Sequence, residues 1–249
     1  MLRRLIKSIL RPIRPGLETA RRSVLGLPGV GAVDFGDLRR TTPISRKFGV
    51  DRGLPVDRFY VEHFLEAHAQ AIRGQVLEIG EDTYTRRFGG ARVTGNDVLH
   101  VTAGNPVATI VADLADAKQI PDDRFDAIIL TQTLQFIFDP PAALRTLHRI
   151  LKPGGVLLLT VPGITQVPHD TVWAHTWYWA FTDVSVRRML GETFGEDRVA
   201  VDSGGNVLAA TAFLHGLAAE ELAPEELDAC DPDYPLVITA RAQKGTGAA

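Results

Sequence analysis

The feature that most restricts the fold is a pair of short apolar runs separated by one helix-length segment. Residues 125–130 read FDAIIL and residues 156–161 read VLLLTV. Such runs suit strands buried on both faces, as parallel sheets are built. Between them, Leu144, Leu147, Ile150 and Leu151 recur at helical spacing over residues 140–151, and Pro153-Gly154-Gly155 marks a helix stop and turn. Strand, helix and strand in this order predict a right-handed βαβ crossover.

The alternation extends in both directions. Residues 75–79 (QVLEI), 92–94, 108–111 and 199–201 read as strands, and 236–242 (LVITARA) as a closing one. Residues 59–73, 184–190 and 207–222 read as helices. The pattern predicts an α/β fold: a Rossmann-like three-layer sandwich with a mostly parallel seven-stranded sheet and an antiparallel last strand. A hydrophobic content of 45% in 249 residues is enough for such a core. The expected division is 1–58, a basic amphipathic helix with an irregular lead-in rich in Gly, Pro and Arg, and 59–245, the α/β domain.

Charge and cysteine content exclude several classes. The net charge of −3 provides no global basic field, so nucleic acid is not expected as a partner. Cys230 is the single cysteine, which rules out an intramolecular disulfide and a Cys-rich metal site and fits a reducing cytosol. His169 and His175 lack partners at ligand spacing, so no metal is expected. No apolar run approaches the roughly 20 residues of a membrane span. Residues 1–14 set Leu2, Leu5, Ile6, Ile9, Leu10 and Ile13 against Arg3, Arg4, Lys7, Arg11 and Arg14. This helix suits either a peripheral anchor on an anionic membrane or docking on the core or a twin subunit. The expected location is cytoplasmic, with peripheral contact at the inner membrane face. Oligomeric state is left open.

In an open α/β sheet the ligand lies beyond the carboxyl ends of the strands. The first strand ends in Glu78-Ile79-Gly80, where glycine permits a tight turn. Gly95-Asn96-Asp97 is read as following the second strand. Asp97 lies roughly 20 residues past Glu78, the offset of a ribose-binding acid. Asp113-Leu114 follows the third strand, where an acid can reach an adenine amino group and an apolar side chain can cover the ring. Thr131-Gln132-Thr133 closes the fourth. Each alone has an ordinary structural alternative, such as a turn residue or an N-cap. Together they point to a nucleoside site.

VLEIG, VTGND and the passage from ADLADAKQIPDDRFDAIIL through LKPGGVLLLTVPG resemble class I S-adenosylmethionine-dependent methyltransferases of the bacterial type 11 kind, over about residues 75–163. The PISRKFGVDRGLPVDRFYVEHFL lead-in and the WYWAFT segment are similar to methyltransferases found among glycan and cell-surface polysaccharide genes. The resemblance implies S-adenosyl-L-methionine as cofactor. It places Glu78, Gly80 and Gln132 at the methionine end, Asp97 at the ribose, and Asp113 and Leu114 at the adenine. It also exposes a departure. The family's acid-x-Gly-x-Gly-x-Gly loop keeps only Gly80 here, with Asp82 and Tyr84 in the other two glycine positions.

The acceptor side of this fold follows the fifth strand. Residues 166–182 hold His169, Asp170, His175 and Tyr178, interleaved with Trp173, Trp177 and Trp179, the chain's three tryptophans. His169, His175 and Tyr178 are the candidate catalytic bases, and the tryptophans either face the acceptor or pack a lid. The expected reaction is methyl transfer to oxygen of a sugar, glycan or related small molecule. The competing reading, prompted by the altered loop, is a non-catalytic binding protein on the same fold in a membrane-associated glycan pathway. An aminopropyl transferase ranks last.

Overall fold

The computed structural model describes residues 24–169 and 174–247. Residues ahead of 43 form their own unit. Its described part is largely exposed and contains one 3-10 turn, Gly36–Leu38, whose entry is set by Asp34 Oδ1 accepting the Gly36 N–H at 2.8 Å. The basic helix expected over 1–14 lies outside the described residues.

The second unit starts at Pro43, not at 59 as expected. Residues 43–58 belong to it because their backbone and side chains are consumed in its packing. Pro55 forms a β-bridge with Ala218, and Val56 is fully buried. Helix α1 (Val56–Ala67) follows directly. Seven strands come next in the chain: β1 (Gly74–Ile79), β2 (Val93–His100), β3 (Ile110–Val111), β4 (Phe125–Thr131), β5 (Leu151–Pro162), β6 (Val199–Gly204) and β7 (Val237–Gln243). They form one sheet in the order β3-β2-β1-β4-β5-β7-β6. Pairs among the first five are parallel, and β7 runs antiparallel to both β5 and β6. The expected α/β sandwich with a reversed last strand is what the chain adopts.

Strand alternation builds the two faces. In β5, Leu157, Leu159 and Val161 point to one core and Val156 and Leu158 to the other. The first core is closed by α2 (Pro140–Ile150) through Leu144, Leu147 and Ile150, and by α3 (Asp183–Phe194) through Val186, Leu190 and Phe194. The second is closed by α1 and by α4 (Val207–His215). Asp139 caps α2 by accepting the Ala142 N–H at 2.9 Å, with prolines in the first turn.

Several expected boundaries move, three of them for a clear physical reason. Strand β2 is longer than the expected 92–94, because parallel pairing with β1 carries it to Leu99 and pairing with β3 to His100. Pro153-Gly154-Gly155 lies inside β5, not between helix and strand. Pairing already starts at Leu151, and the turn becomes a register shift with Gly154 at φ 80°. Helix α4 stops at His215, short of residue 222, because Gly216 takes φ 70° and its backbone lies against the Ser45 carbonyl, where any Cβ would collide.

Candidate functional site

After β1 the chain moves outward to β2 and β3, then crosses back to β4, so the order reverses between β1 and β4. The carboxyl end at such a switch point is where open α/β sheets bind ligands. A cavity of about 870 Å³ lies there, large enough for a nucleoside cofactor together with a small second ligand. The strand tips supply Glu78, Ile79, Gly80, Thr131, Gln132 and Thr133, and the loops supply His100, Asn105, Asp113 and Leu114.

Gly80 is the hinge of this end. Its φ of 88° is a conformation that L side chains rarely adopt, and its N–H donates to the Leu99 carbonyl at 2.9 Å. Its carbonyl accepts from Asn105 Nδ2 at 2.6 Å. The space where a Cβ would stand is open. Glu78 is 2% exposed. Its carboxylate accepts the Tyr84 N–H at 3.2 Å and the Thr85 N–H at 2.7 Å, so it caps the helical turn that follows the loop. Burial raises its pKa to about 7, although the Thr85 and Tyr84 bonds pull the other way. The loop amides at Tyr84 and Thr85 are thus already satisfied by the chain's own carboxylate.

The side chains replacing the lost glycines do not fill the cavity. Asp82 binds Arg86 Nε at 2.7 Å and Asn96 Nδ2 at 3.1 Å. Tyr84 is buried in the second core, where its hydroxyl accepts from Arg58 Nη1 at 3.0 Å. Neither residue lines the cavity.

Asp97 does not take the expected position. It pairs with Leu77 in mid-strand, two residues short of the Ile79–Leu99 level where β1 ends. At 3.3 Å per residue this sets it roughly 7 Å below the strand tips. Its carboxylate, buried and off the cavity wall, is consumed by Arg124 Nη2 at 2.6 Å, Thr109 Oγ1 at 2.7 Å and Gln75 Nε2 at 3.2 Å. Gly95-Asn96-Asp97 was expected to follow a short second strand, with Asp97 as the ribose acid, because the strand was expected to end at residue 94. In the sheet their polar groups find partners, and strand pairing continues. The residues that do reach the cavity at the end of β2 are Leu99 and His100, the latter accepting the Thr102 N–H at its Nδ1 at 3.2 Å.

Asp113 and Leu114 stand where the sequence placed them. Asp113 Oδ1 caps the next turn by accepting the Ala115 N–H at 2.9 Å. No hydrogen bond within the described residues engages its Oδ2. Leu114 is both cavity wall and core, 4% exposed. Gln132 holds a left-handed backbone at φ 45°, rare for a residue with a Cβ. Its N–H donates to the Thr160 carbonyl and its carbonyl accepts from Gln135 Nε2, both at 2.9 Å.

Part of the cavity wall is aromatic. Phe48, Phe136, Phe138, Trp177, Tyr178 and Phe213 line it. Phe48 and Trp177 lie nearly parallel with ring centres 6.4 Å apart, and Phe136 meets Trp177 edge-on at 5.1 Å. Of the three candidate bases, Tyr178 reaches the cavity, at its exposed rim against Phe138. His169 and His175 are exposed residues off the cavity wall, which is a correction. Among the described residues that follow, Trp177 and Tyr178 line the cavity. Asp170 and Trp173 lie outside the described residues.

Sequence reading missed Asp57 and Arg58, the first charged pair of α1, because the helix was expected to start at 59. Pro55 followed by an acid one residue into the helix was the available signal. Both side chains line the cavity and are half-buried. Burial raises the Asp57 pKa above the ordinary carboxylate value, with the neighbouring Arg58 opposing. For Arg58, burial works against the charge, yet the Tyr84 phenol and the Asp57 carboxylate hold it above its ordinary value.

Residues 50–193 match the methyltransferase domain family. A ubiquinone/menaquinone biosynthesis C-methyltransferase from Shewanella frigidimarina is 32% identical over 93 residues, which is 37% of this chain and 35% of that protein. The chain therefore spans about a third of the length of this curated relative. Among solved structures, an S-adenosylmethionine-dependent methyltransferase from Archaeoglobus fulgidus superposes with a TM-score of 0.50 at 12% identity, covering 75% of this chain and 94% of that one. The [4+2]-cyclase SpnF superposes with a TM-score of 0.51 at 18% identity over 97% and 96%. At these identities the two structures speak for the fold alone.

Proposed function

The chain belongs to the methyltransferase domain family, and from that premise we propose that it transfers a methyl group from S-adenosylmethionine to a small or glycan-like acceptor. One observation carries this reading. A single cavity is lined both by Gly80, Asp113 and Leu114, which suit a nucleoside, and by the aromatic side chains of Phe48, Phe136 and Trp177.

The residues of the first group fit the cofactor. Asp113 offers a free carboxylate oxygen to the adenine amino group, and Leu114 offers an apolar face to the ring. Gly80 leaves open space beside its backbone. The cofactor, when bound, supplies a methyl group already activated by a sulfonium, so the protein's task is alignment. The aromatic chamber holds a flat apolar face, either the C–H face of a sugar or an unsaturated ring. For a hydroxyl acceptor, Asp57 is the group that takes the proton. It lies in the cavity, carries one carboxylate oxygen not engaged by the Arg58 amide, and is tuned upward by burial toward a useful base. Tyr178 at the rim is the second candidate.

A ring carbon is the alternative acceptor atom, favoured by the aromatic lining and in keeping with the C-methyltransferase relative. The reading as a non-catalytic binding protein rested on the altered loop. With Asp82 and Tyr84 both engaged away from the cavity, that ground is removed. Calorimetric titration with S-adenosylhomocysteine, followed by methyl transfer from labelled cofactor to a panel of sugars, phenols and quinols, tests the proposal. No heat and no thermal shift at millimolar S-adenosylhomocysteine would remove it.

A further inference from the structure

Phe48, Asp123 and Gln132 are the non-glycine residues with a left-handed backbone among those described, and Phe48 and Gln132 both line the cavity. Such a backbone is unfavourable for a residue with a Cβ and persists only where the surroundings hold it. At Phe48 it carries a ring that lies nearly parallel to Trp177. At Gln132 it precedes the 3-10 turn Leu134–Phe136, and the Gln132 carbonyl accepts from Gln135 Nε2 at 2.9 Å.

That bond fixes which way the Gln135 amide faces. Gln135 is 1% exposed and stands in the cavity wall. Its backbone carbonyl accepts the Tyr178 N–H at 2.9 Å, which ties the turn to the segment carrying Trp177 and Tyr178. Its side-chain oxygen, Oε1, is buried and has no hydrogen-bond partner within the described residues. Buried side-chain polar atoms almost always have one, and an unpaired acceptor is costly. In the same turn, Leu134 packs into the core, while Phe136 lines the cavity edge-on to Trp177. An acceptor atom in need of a donor is therefore set among aromatic rings.

Resting on the methyl-transfer reading above, we infer that Gln135 and the rings of Phe48, Phe136 and Trp177 form the acceptor subsite, which takes a flat ring bearing a hydroxyl whose O–H donates to Gln135 Oε1. A sugar suits this wall less well, since several of its hydroxyls would face phenyl rings unpaired. The amide oxygen meets the donor through the side-chain adjustment that sites commonly make on binding. Gln135 is a positioning residue, and proton removal stays with Asp57.

The probes are hydroquinone and p-xylene, which carry hydroxyls and methyls of similar size on the same ring. Each is titrated by ligand-detected NMR into the full chain loaded with S-adenosylhomocysteine. The ratio of hydroquinone to p-xylene affinity should fall by about 10- to 100-fold from wild type to Gln135→Leu, the cost of one buried unpaired group. Gln135→Asn, one methylene shorter, should fall between. Affinity for S-adenosylhomocysteine should stay within about threefold in both variants. A Gln135 that serves the fold alone would lower Tm on replacement and leave the ratio unchanged, and that result in a folded variant would overturn the inference. So would a tenfold loss of S-adenosylhomocysteine affinity in Gln135→Leu, or tighter binding of methyl glucoside than of hydroquinone by wild type. If Gln135→Leu does not fold, Gln135→Asn decides, and an unchanged ratio there counts against the subsite. Absence of S-adenosylhomocysteine binding by wild type is a separate failure, that of the cofactor reading itself.

Discussion

Replacing Asp97 by Asn separates the two roles open to this carboxylate. A ribose ligand would lose cofactor affinity on amidation and cost the fold little. The structure calls for the opposite. Asp97 joins three donors from three different segments: Gln75 on β1, Thr109 ahead of β3 and Arg124 ahead of β4. Asparagine keeps the shape but turns one acceptor oxygen into a donor, which then opposes the Arg124 guanidinium or the Gln75 amide. The Arg124 side chain is 36% exposed, so that ion pair is discounted to about 1 kcal/mol. The two other bonds contribute roughly 1 kcal/mol each. The expected destabilisation is about 2–4 kcal/mol, or roughly 6–12 °C in Tm for a chain of this length. Arg124→Met should cost a comparable amount, and the double variant less than the sum. Thermal and urea unfolding measure stability, and calorimetry measures S-adenosylhomocysteine affinity, expected within about threefold of wild type. A tenfold loss of affinity at unchanged Tm would refute the placement of Asp97 beneath the site.

Asp113→Ala is the complementary experiment: affinity for S-adenosylhomocysteine should fall by about tenfold or more, with Tm lowered only by a lost cap of about 1 kcal/mol. Equal affinity would contradict the adenine contact. Asp57→Asn should lower kcat on a hydroxyl acceptor by roughly 10²- to 10⁴-fold while leaving S-adenosylhomocysteine binding intact, and wild-type turnover in this variant would remove Asp57 as the base. Glu78 holds its proton to about pH 7 when folded, against an ordinary value of 4.5. Its contribution is therefore complete below pH 4.5 and is lost as pH rises through 7. Wild type should lose about 3 kcal/mol relative to Glu78→Gln across that window, and parallel urea-unfolding profiles at pH 5 and pH 8 would contradict this. We also propose that residues 1–14 give salt-sensitive binding to anionic vesicles. Equal pelleting of the full chain and one lacking those residues would exclude it.

The sheet was legible because its evidence is local and redundant. FDAIIL and VLLLTV can be buried on both faces in almost no other way, and the turn residues around them punctuate the pattern. The site was legible where a residue's role depends on its own strand ending: Gly80, Asp113, Leu114 and Gln132 all stand at the cavity. It was misread where the role depends on a neighbour. Whether Asp97 ends a strand or lies within one is decided by pairing with Leu77 and by donors up to 27 residues away in the chain, and a single strand's composition does not contain that information. The same holds for His169 and His175, which are exposed and off the cavity wall, and for Asp57 and Arg58, which reach the site only because α1 packs with its first turn at the strand ends.

These displacements share one cause. In a glycine-rich loop the backbone supplies the donors and approaches the ligand closely. Here Asp82 and Tyr84 make the loop part of the protein's own framework: one ties it to Asn96 on β2, the other ties it to α1. Glu78 closes the turn that follows by accepting the Tyr84 and Thr85 amides. The loop is thereby secured on three sides, and beside it Arg58, fixed by the Tyr84 hydroxyl, lines the cavity. On this argument the pair Tyr84 and Arg58 forms one unit. Restoring glycine at position 84 alone should weaken S-adenosylhomocysteine binding instead of improving it, because the guanidinium loses its anchor while the Thr85 amide stays bound to Glu78. Improved binding by Tyr84→Gly, measured by calorimetry on a variant that still unfolds cooperatively, would mean that the backbone route was available all along.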